Sequence, residues 1–239
     1  QVGKKMREPG KVQEQIGVTG MILKTEPVGE YDRRVVILTR ERGKIAAFAR
    51  GARKQGSRLL ASTNPFCFGQ FRLYEGRSAY SISETVISNY FEGLREDFEE
   101  ACYGMYFLEM MDYYTRENSD EKEMLKLLYQ SLRALQHQGF SNTLVRYIFE
   151  IKALAINGEY PGLPKREQPY LTSTEYAVNY IVNSSVEKLY TFNVTEQVLL
   201  ELSQIADVYR NRFIDKKMKR LESMDEIDTD VKFHVEKQG

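Results

Sequence analysis

The chain is poor in the side chains that most often carry chemistry. Its 239 residues include only two cysteines and two histidines, and there is no tryptophan. Cys67 and Cys102 lie in different segments, which excludes a disulfide framework and makes a reducing cytoplasm the expected compartment. Neither His137 nor His234 stands at ligand spacing from a cysteine, so the sequence predicts no metal site.

Several motifs are also missing. No apolar run approaches the roughly 18 residues that a membrane helix needs, so no membrane association is expected. Glycine-rich phosphate loops and dinucleotide fingerprints are absent, which argues against a nucleotide cofactor. His137 lies beside Gly139 at a predicted helix end, where a histidine is typically a partner of the helix dipole. The sequence therefore predicts no catalytic residue, no cofactor and no enzymatic activity.

Charge is unevenly distributed along a chain with 34 basic and 34 acidic residues. Residues 33–77 contain eleven Lys or Arg and two acids, a local charge of +9 among strand-like segments. A folded β module with one basic face is typical of a surface that binds a phosphate backbone. The residues predicted to contact that backbone are Arg34, Lys44, Arg50, Arg53, Lys54, Arg58, Arg72 and Arg77.

Two further charge clusters lie later in the chain. Residues 84–123 contain twelve acids and three bases, which most simply indicates a solvated face. Residues 210–220 contain six bases and one acid, which makes a second basic cluster near the C-terminus.

Hydrophobic patterning divides the chain into four parts. Residues 1–15 are polar and unpatterned and predict a flexible lead. Residues 16–90 contain five short runs rich in β-branched and aromatic residues, the number and size expected of a small closed barrel. These runs are 16–25, 33–40, 44–51, 70–76 and 78–87.

From residue 91 to 223 the apolar period is helical, and residues 224–239 predict a flexible tail. Ser141 is predicted to cap a helix that ends at Asn157-Gly158. The predicted helices cover the stripe Tyr103–Tyr114, residues 124–135, 141–157 and 174–183, and Thr195 to about Ser223. The predicted fold class is α+β, with a five-stranded barrel followed by an all-helical domain.

Four aromatic residues, Phe48, Phe71, Tyr74 and Tyr80, lie in the predicted barrel strands. Alternation turns about half of such residues outward, and sequence alone leaves the register open. Phe48 and Tyr74 are candidates for stacking against nucleobases, because stacking tolerates any base.

Several short motifs, in order and at the right spacing, resemble the bacterial RecO family of DNA repair and recombination proteins over residues 17–222. They are GEYD at 29–32, ARGARKQGSR at 49–58, Pro65-Phe66, YEGR at 74–77, Phe149-Glu150 and GEYP at 158–161. Thr63 departs from the family, which usually has Leu before its Pro-Phe pair. Many relatives also carry two cysteine pairs that bind zinc after the third long helix. The corresponding loop here has no cysteine, so zinc is expected to be absent.

The resemblance implies an OB-fold barrel, a helical C-terminal domain and a non-catalytic role. Such proteins bind single- and double-stranded DNA, anneal complementary strands, and act with RecR to load RecA on strands coated by single-stranded DNA-binding protein (SSB). The implied location is the cytoplasm at the nucleoid, and the chain alone is expected to be a monomer. The acidic SSB tail would bind the helical domain, with Arg146, Lys152, Lys217 and Lys219 as the candidate contacts.

Two other functions remain open at this stage. A protein-interaction adaptor would use the basic barrel to bind an acidic protein, and its affinity for DNA would be low. An RNA-binding OB module would prefer RNA to DNA of equal length, because the 2′-hydroxyl distinguishes the two.

Overall fold

The computed structural model describes residues 14–221 and residue 224. The predicted lead, residues 1–15, lies outside the described residues except for Glu14 and Gln15, and the predicted tail, residues 224–239, does so except for Met224. The first part of the fold is a closed barrel in the order β1-β2-β3-β5-β4. Its strands are β1 (Gln15–Val28), β2 (Asp32–Thr39), β3 (Gly43–Ala49), β4 (Phe68–Glu75) and β5 (Tyr80–Asn89).

All neighbouring strands of the barrel are antiparallel except β3 and β5. These two run parallel, with Ala47 opposite Tyr80 and Phe48 opposite Ser81. The pairing closes the sheet and leaves it without a free pair of edges, as an OB fold requires. Alternation along β3 turns Ile45 and Ala47 into the barrel core and Phe48 outward.

Helices form the second part of the described chain, after a short α1 (Leu59–Ser62) between β3 and β4. Ser141 caps the helix that begins at Asn142, as predicted, because its hydroxyl accepts a hydrogen bond from the Leu144 amide. The remaining elements are α2 (Gly93–Glu96), α3 (Phe98–Tyr114), α4 (Lys122–Leu135), α5 (Asn142–Ile156), α6 (Thr172–Asn183), a 3₁₀ turn (Val186–Lys188) and α7 (Glu196–Phe213).

Helix α3 lies between the barrel and the other helices. The predicted apolar stripe is buried, but so are Gly104 and Leu108, which lie outside it. Gly104 lies against the Phe66 ring from the barrel side, and a Cβ there would stand 3.0 Å from that ring. The core around α3 therefore includes both helix residues and the outward β1 and β2 residues Met21 and Leu38.

Helix α7 ends at Phe213, ten residues before the predicted end, so that part of the prediction is wrong. The Tyr113 hydroxyl donates either to the Phe213 carbonyl (3.1 Å) or to the Asp215 carboxylate (2.9 Å). Further along the chain, the Lys219 amide donates a hydrogen bond to the Glu109 carboxylate at 3.0 Å. These tertiary hydrogen bonds turn the chain back onto α3, and hydrophobic periodicity contains no signal for them.

The turn between β2 and β3 joins the barrel to the connection between α3 and α4. The Lys44 amide donates to the Arg116 carbonyl at 3.0 Å, and the Asn118 amide donates to the Arg42 carbonyl at 3.1 Å. Gly43 has φ +66°, and a Cβ at this position would stand 2.3 Å from the Arg116 carbonyl oxygen. Only glycine therefore fits this junction.

Replacing Gly43 by Ala is expected to destabilise the protein more than replacing Gly29, which also has positive φ but open space around it. Gly29→Ala should cost on the order of 1 kcal/mol of unfolding free energy, from backbone strain alone. Gly43→Ala should cost a further ~1–3 kcal/mol from overpacking. Urea denaturation of both variants measures the difference, and equal losses would contradict the close approach.

Candidate nucleic-acid interface

After β3 the chain forms an ordered loop, residues 50–58, that lies on the turn between β1 and β2. The Asp32 carboxylate accepts the Gly51 amide at 2.7 Å, and the Arg53 amide donates to the Tyr31 carbonyl at 2.8 Å. Ala52 is fully buried beneath the loop. These contacts fix the loop in place, so its side chains project from a defined backbone.

Four basic residues of this loop are exposed, and we refer to them as the loop platform: Arg50, Arg53, Lys54 and Arg58. None of the four forms a salt bridge with another described residue. Arg53 donates to the Gly29 carbonyl at 3.2 Å, which neutralises no charge. Four like charges with no acidic partner in the described chain make this the strongest candidate site for a polyanion.

The outer face of the barrel extends the loop platform. Arg34 on β2 stands opposite Phe48 on β3, and both side chains are half-buried and turned outward. The Arg34 guanidinium lies 3.7 Å from the Glu26 carboxylate, a long and exposed contact. An arginine beside an outward aromatic ring provides one phosphate contact and one stacking surface.

Lys44 does not belong to this surface, in contrast to the prediction. Its ammonium group donates to the Asp112 carboxylate at 3.0 Å and to the Asp112 carbonyl. This ion pair joins β3 to α3 and takes up the charge of Lys44 within the junction between barrel and helices. An acid from a later part of the chain is not visible when the basic segment is considered alone.

Two other predicted residues lie on the β4–β5 hairpin. Arg72 is exposed and its guanidinium lies 3.4 Å from the Glu84 carboxylate on the neighbouring strand. Arg77 is exposed in the turn before β5. The hairpin therefore adds two positive charges to the candidate interface: that of Arg72, which Glu84 partly neutralises, and that of Arg77 at the hairpin tip.

Among the aromatic residues, strand register separates core from surface. Phe71 and Tyr80 point into the barrel core and are buried, whereas Tyr74 is 36% exposed. Tyr31, which sequence analysis missed, is 44% exposed at the tip of the β1–β2 turn. Its position in a three-residue turn was the available signal, because a turn has no inward face that would bury a ring.

Arg146 is buried, so the prediction that it lines an open groove is wrong. Its guanidinium donates to the Glu150 carboxylate at 3.0 Å, and Arg210 contacts the same carboxylate at 3.1 Å. The Tyr106 hydroxyl donates to it at 2.7 Å. Burial lowers the pKa of Arg146, but Glu150, Tyr106 and Tyr147 together raise it above its ordinary value, so the side chain stays charged.

Lys152 is also buried, which contradicts its predicted role. Its ammonium group donates to the carbonyls of Val182 (3.0 Å) and Ser184 (2.6 Å), and so ties α5 to the end of α6. Burial lowers the pKa of Lys152. Lys217 and Lys219 are exposed in the segment that follows α7. Of the four predicted tail contacts, these two alone remain accessible.

No group of three or more His, Cys, Asp or Glu residues within residues 14–221 is arranged to hold a metal ion. The loop after α5, which has no cysteine, is held by other contacts. Arg166 pairs with Glu201, and its guanidinium carbon lies 3.6 Å from the centre of the Tyr170 ring. Glu201 also accepts the Leu171 amide at 3.1 Å. Among the helices of residues 14–221, none is both long and apolar enough to cross a membrane.

With a closed five-stranded barrel followed by helices, the chain belongs to the class of OB-fold proteins that have an all-helical C-terminal domain. Two family models match the chain in that order. Residues 14–91 match the model described as "Recombination protein O N terminal", and residues 95–165 match "Recombination protein O C terminal".

Curated proteins named "DNA repair protein RecO" are similar to the chain. That of Clostridium novyi (strain NT) is 28% identical over 231 residues, 84% of this chain and 90% of its own length. That of Acetivibrio thermocellus is 26% identical over 241 residues, with 88% and 96% covered. That of Bacillus subtilis (strain 168) is 34% identical over 146 residues, with 60% and 56% covered. The chain belongs to the RecO family of bacterial DNA repair proteins.

Replacing Arg146 by Ala is expected to destabilise the helical domain, since the buried Glu150 carboxylate would lose one of its two cationic partners. Removing one member of a buried ionic cluster costs ~3–5 kcal/mol. Chemical denaturation measures the loss, with Arg133→Ala as the control because Arg133 is exposed in the same domain. A fully stable Arg146→Ala variant that lost only peptide binding would support the open groove instead.

Absence of zinc remains a prediction, and the contacts of Glu201 give it a test. A chelator is expected to leave the melting temperature unchanged, because ion-pair and hydrogen-bond contacts hold the loop. Glu201→Gln should lower the unfolding free energy by ~1–3 kcal/mol, whereas the exposed Glu175→Gln should not. Stoichiometric metal in the purified protein, or melting sensitive to the chelator, would overturn the prediction.

Proposed function

We propose that this protein is a non-catalytic, DNA-binding recombination mediator that anneals complementary strands and, with RecR, helps load RecA on SSB-coated single-stranded DNA. Membership of a DNA repair family supports the general role. The single observation that carries the DNA-binding step is the loop platform. It presents four exposed cations, without acidic partners in the described chain, on an ordered backbone.

Annealing requires two polyanions to share one surface. Their mutual repulsion is offset when protein cations displace the counterions condensed on each strand. The proposed DNA contacts are Arg34, Arg50, Arg53, Lys54, Arg58 and Arg77, with Arg72 partly neutralised by Glu84. Lys44 is left out because Asp112 holds it.

Of the two proposed partner proteins, SSB is assigned to particular residues of the chain. Since Arg146 and Lys152 are buried, the contact with the acidic SSB tail is proposed to involve Lys217 and Lys219. RecR is proposed as the partner that acts with the DNA-bound protein. We expect the protein to act in the cytoplasm at the nucleoid and to be a monomer on its own.

Replacing Arg50 and Arg58 together by Ala is expected to weaken binding to single-stranded DNA and to flatten its salt dependence. The log–log slope should fall by roughly 0.7 for each phosphate group of the single strand that the variant no longer binds. Fluorescence anisotropy at several salt concentrations measures both quantities. Neither side chain forms a hydrogen bond or a salt bridge with another described residue, so the melting temperature should not change.

The matched control is Arg133→Ala with Lys165→Ala, which removes two exposed cations from the helical domain. It should leave both affinity and slope within experimental error. Weak binding by the unmodified protein with almost no salt dependence would favour the adaptor, in which an acidic protein occupies the barrel. Equal effects of the two double variants would mean that net charge, and not the loop platform, determines binding.

A further inference from the structure

We infer that the β1–β2 turn and the loop platform form a binding site for one unpaired nucleobase, with Tyr31 as the ring on which the base stacks. The inference rests on the proposed DNA binding and adds to it a means of distinguishing single strands from duplex. It concerns a residue that the charge pattern of the chain does not point to.

Tyr31 lies where a ring can meet a ligand. It is at the tip of the turn between β1 and β2, 44% exposed, and directly beside the cations of the loop platform. Gly29 has φ +56°, which allows the tight turn that projects the ring from the barrel. A large exposed aromatic side chain next to unpaired cations is the combination found in single-strand binding sites.

The Tyr31 ring is contacted by a cation and still keeps 44% of the residue's surface exposed. The Lys54 ammonium lies over the ring, 5.5 Å from its centre, so Lys54 occupies one side through a cation–π contact. The neighbouring Glu30 carboxylate raises the pKa of the Tyr31 phenol. The ring is therefore neutral at physiological pH and does not repel phosphate groups.

The site is fixed before any ligand binds. The Tyr31 carbonyl accepts the Arg53 amide, the Gly29 carbonyl accepts the Arg53 guanidinium, and Asp32 holds the Gly51 amide. Three hydrogen bonds thus join the β1–β2 turn to the loop that carries the loop platform. Binding a base to such a site loses less conformational entropy than ordering a free loop would.

Geometry favours an unpaired base over a paired one. In a duplex both faces of each internal base are already stacked, so a protruding ring has no free base face to contact. Phosphate groups are available in both forms, and Arg50 and Arg58 contact them equally well in either. Tyr31 should therefore strengthen binding to single strands and add nothing to binding of duplex.

The absence of tryptophan from the chain allows a direct test. Tyr31→Trp creates a single-tryptophan protein whose emission should be quenched when poly-dT or another unstructured single strand binds, because indole stacks on the base. Duplex of equal length should bind without comparable quenching. Tyr176→Trp, at a 71% exposed position on α6, is the matched control and should show no quenching with either DNA.

Affinity gives an independent measurement. Tyr31→Ala should weaken single-strand binding by about 5- to 150-fold, which corresponds to the roughly 1–3 kcal/mol lost when a stacking aromatic is removed, and change duplex affinity less than about twofold. Tyr31→Phe should bind like the unmodified protein, since the ring is retained. Anisotropy at one fixed salt concentration separates these effects from those of charge.

The outcomes distinguish this inference from the proposed function. If single strands bind with a steep salt dependence but neither quenching nor a Tyr31→Ala effect appears, the base site is refuted and the DNA-binding role stands. If Tyr31→Ala weakens single strand and duplex equally, Tyr31 supports the loop and does not read bases, which also refutes it. If the unmodified protein does not bind DNA, both proposals fall.

Discussion

The hydrogen bond from the Gly51 amide to the Asp32 carboxylate is the contact on which the candidate interface depends. It fixes the chain at the point where it leaves β3, with a donor–acceptor distance of 2.7 Å. Arg50 directly precedes Gly51, and the other three cations of the loop platform follow Gly51 within seven residues. Without this contact and the bond from the Arg53 amide to the Tyr31 carbonyl, the loop would be a flexible basic segment whose charges repel one another. With both, the repulsion is held in a fixed geometry and a polyanion can relieve it.

Helix α3 gives the two halves of the described chain a common core. Its residues contact β1 on one side and α4 and α5 on the other, and they share one hydrophobic cluster with Met21 and Leu38. Its Tyr113 hydroxyl also bonds the end of α7. Asp112 on this helix holds Lys44, and the residues after it bind the β2–β3 turn. The barrel surface on this side is therefore buried against the helices and is not available to a ligand.

The fold was accessible from the sequence because each element has a local signal. Alternating β-branched residues predicted the five strands, and apolar spacing with Ser141 predicted the α5 boundary. The functional sites were harder to predict from the sequence. Arg146 pairs with Glu150 on the same helix, a local contact, but the third member of that cluster, Arg210, comes from α7. Lys152 is held by the carbonyls of Val182 and Ser184, which lie 30 and 32 residues later in the chain.

Similar reasons explain the other differences between sequence and structure. Lys44 resembles a DNA contact in sequence because its partner, Asp112, lies 68 residues later. Tyr31 escapes sequence analysis because strand alternation sorts the aromatic residues within strands and says nothing of the turn between them. Charge counts identify a basic segment, but only tertiary structure shows which of its charges are already neutralised.

The loop between α5 and α6 has a consequence for the conditions under which the protein keeps its shape. Its contacts are the Arg166–Glu201 pair, the Arg166–Tyr170 stack and the hydrogen bond from the Tyr209 hydroxyl to the Gly162 carbonyl. None of these is removed by an oxidant or by metal starvation, both of which dismantle clusters of thiolate ligands. Oxidative stress damages the DNA and the protein thiols of a cell at the same time. This part of the helical domain would retain its structure at the time when repair is needed.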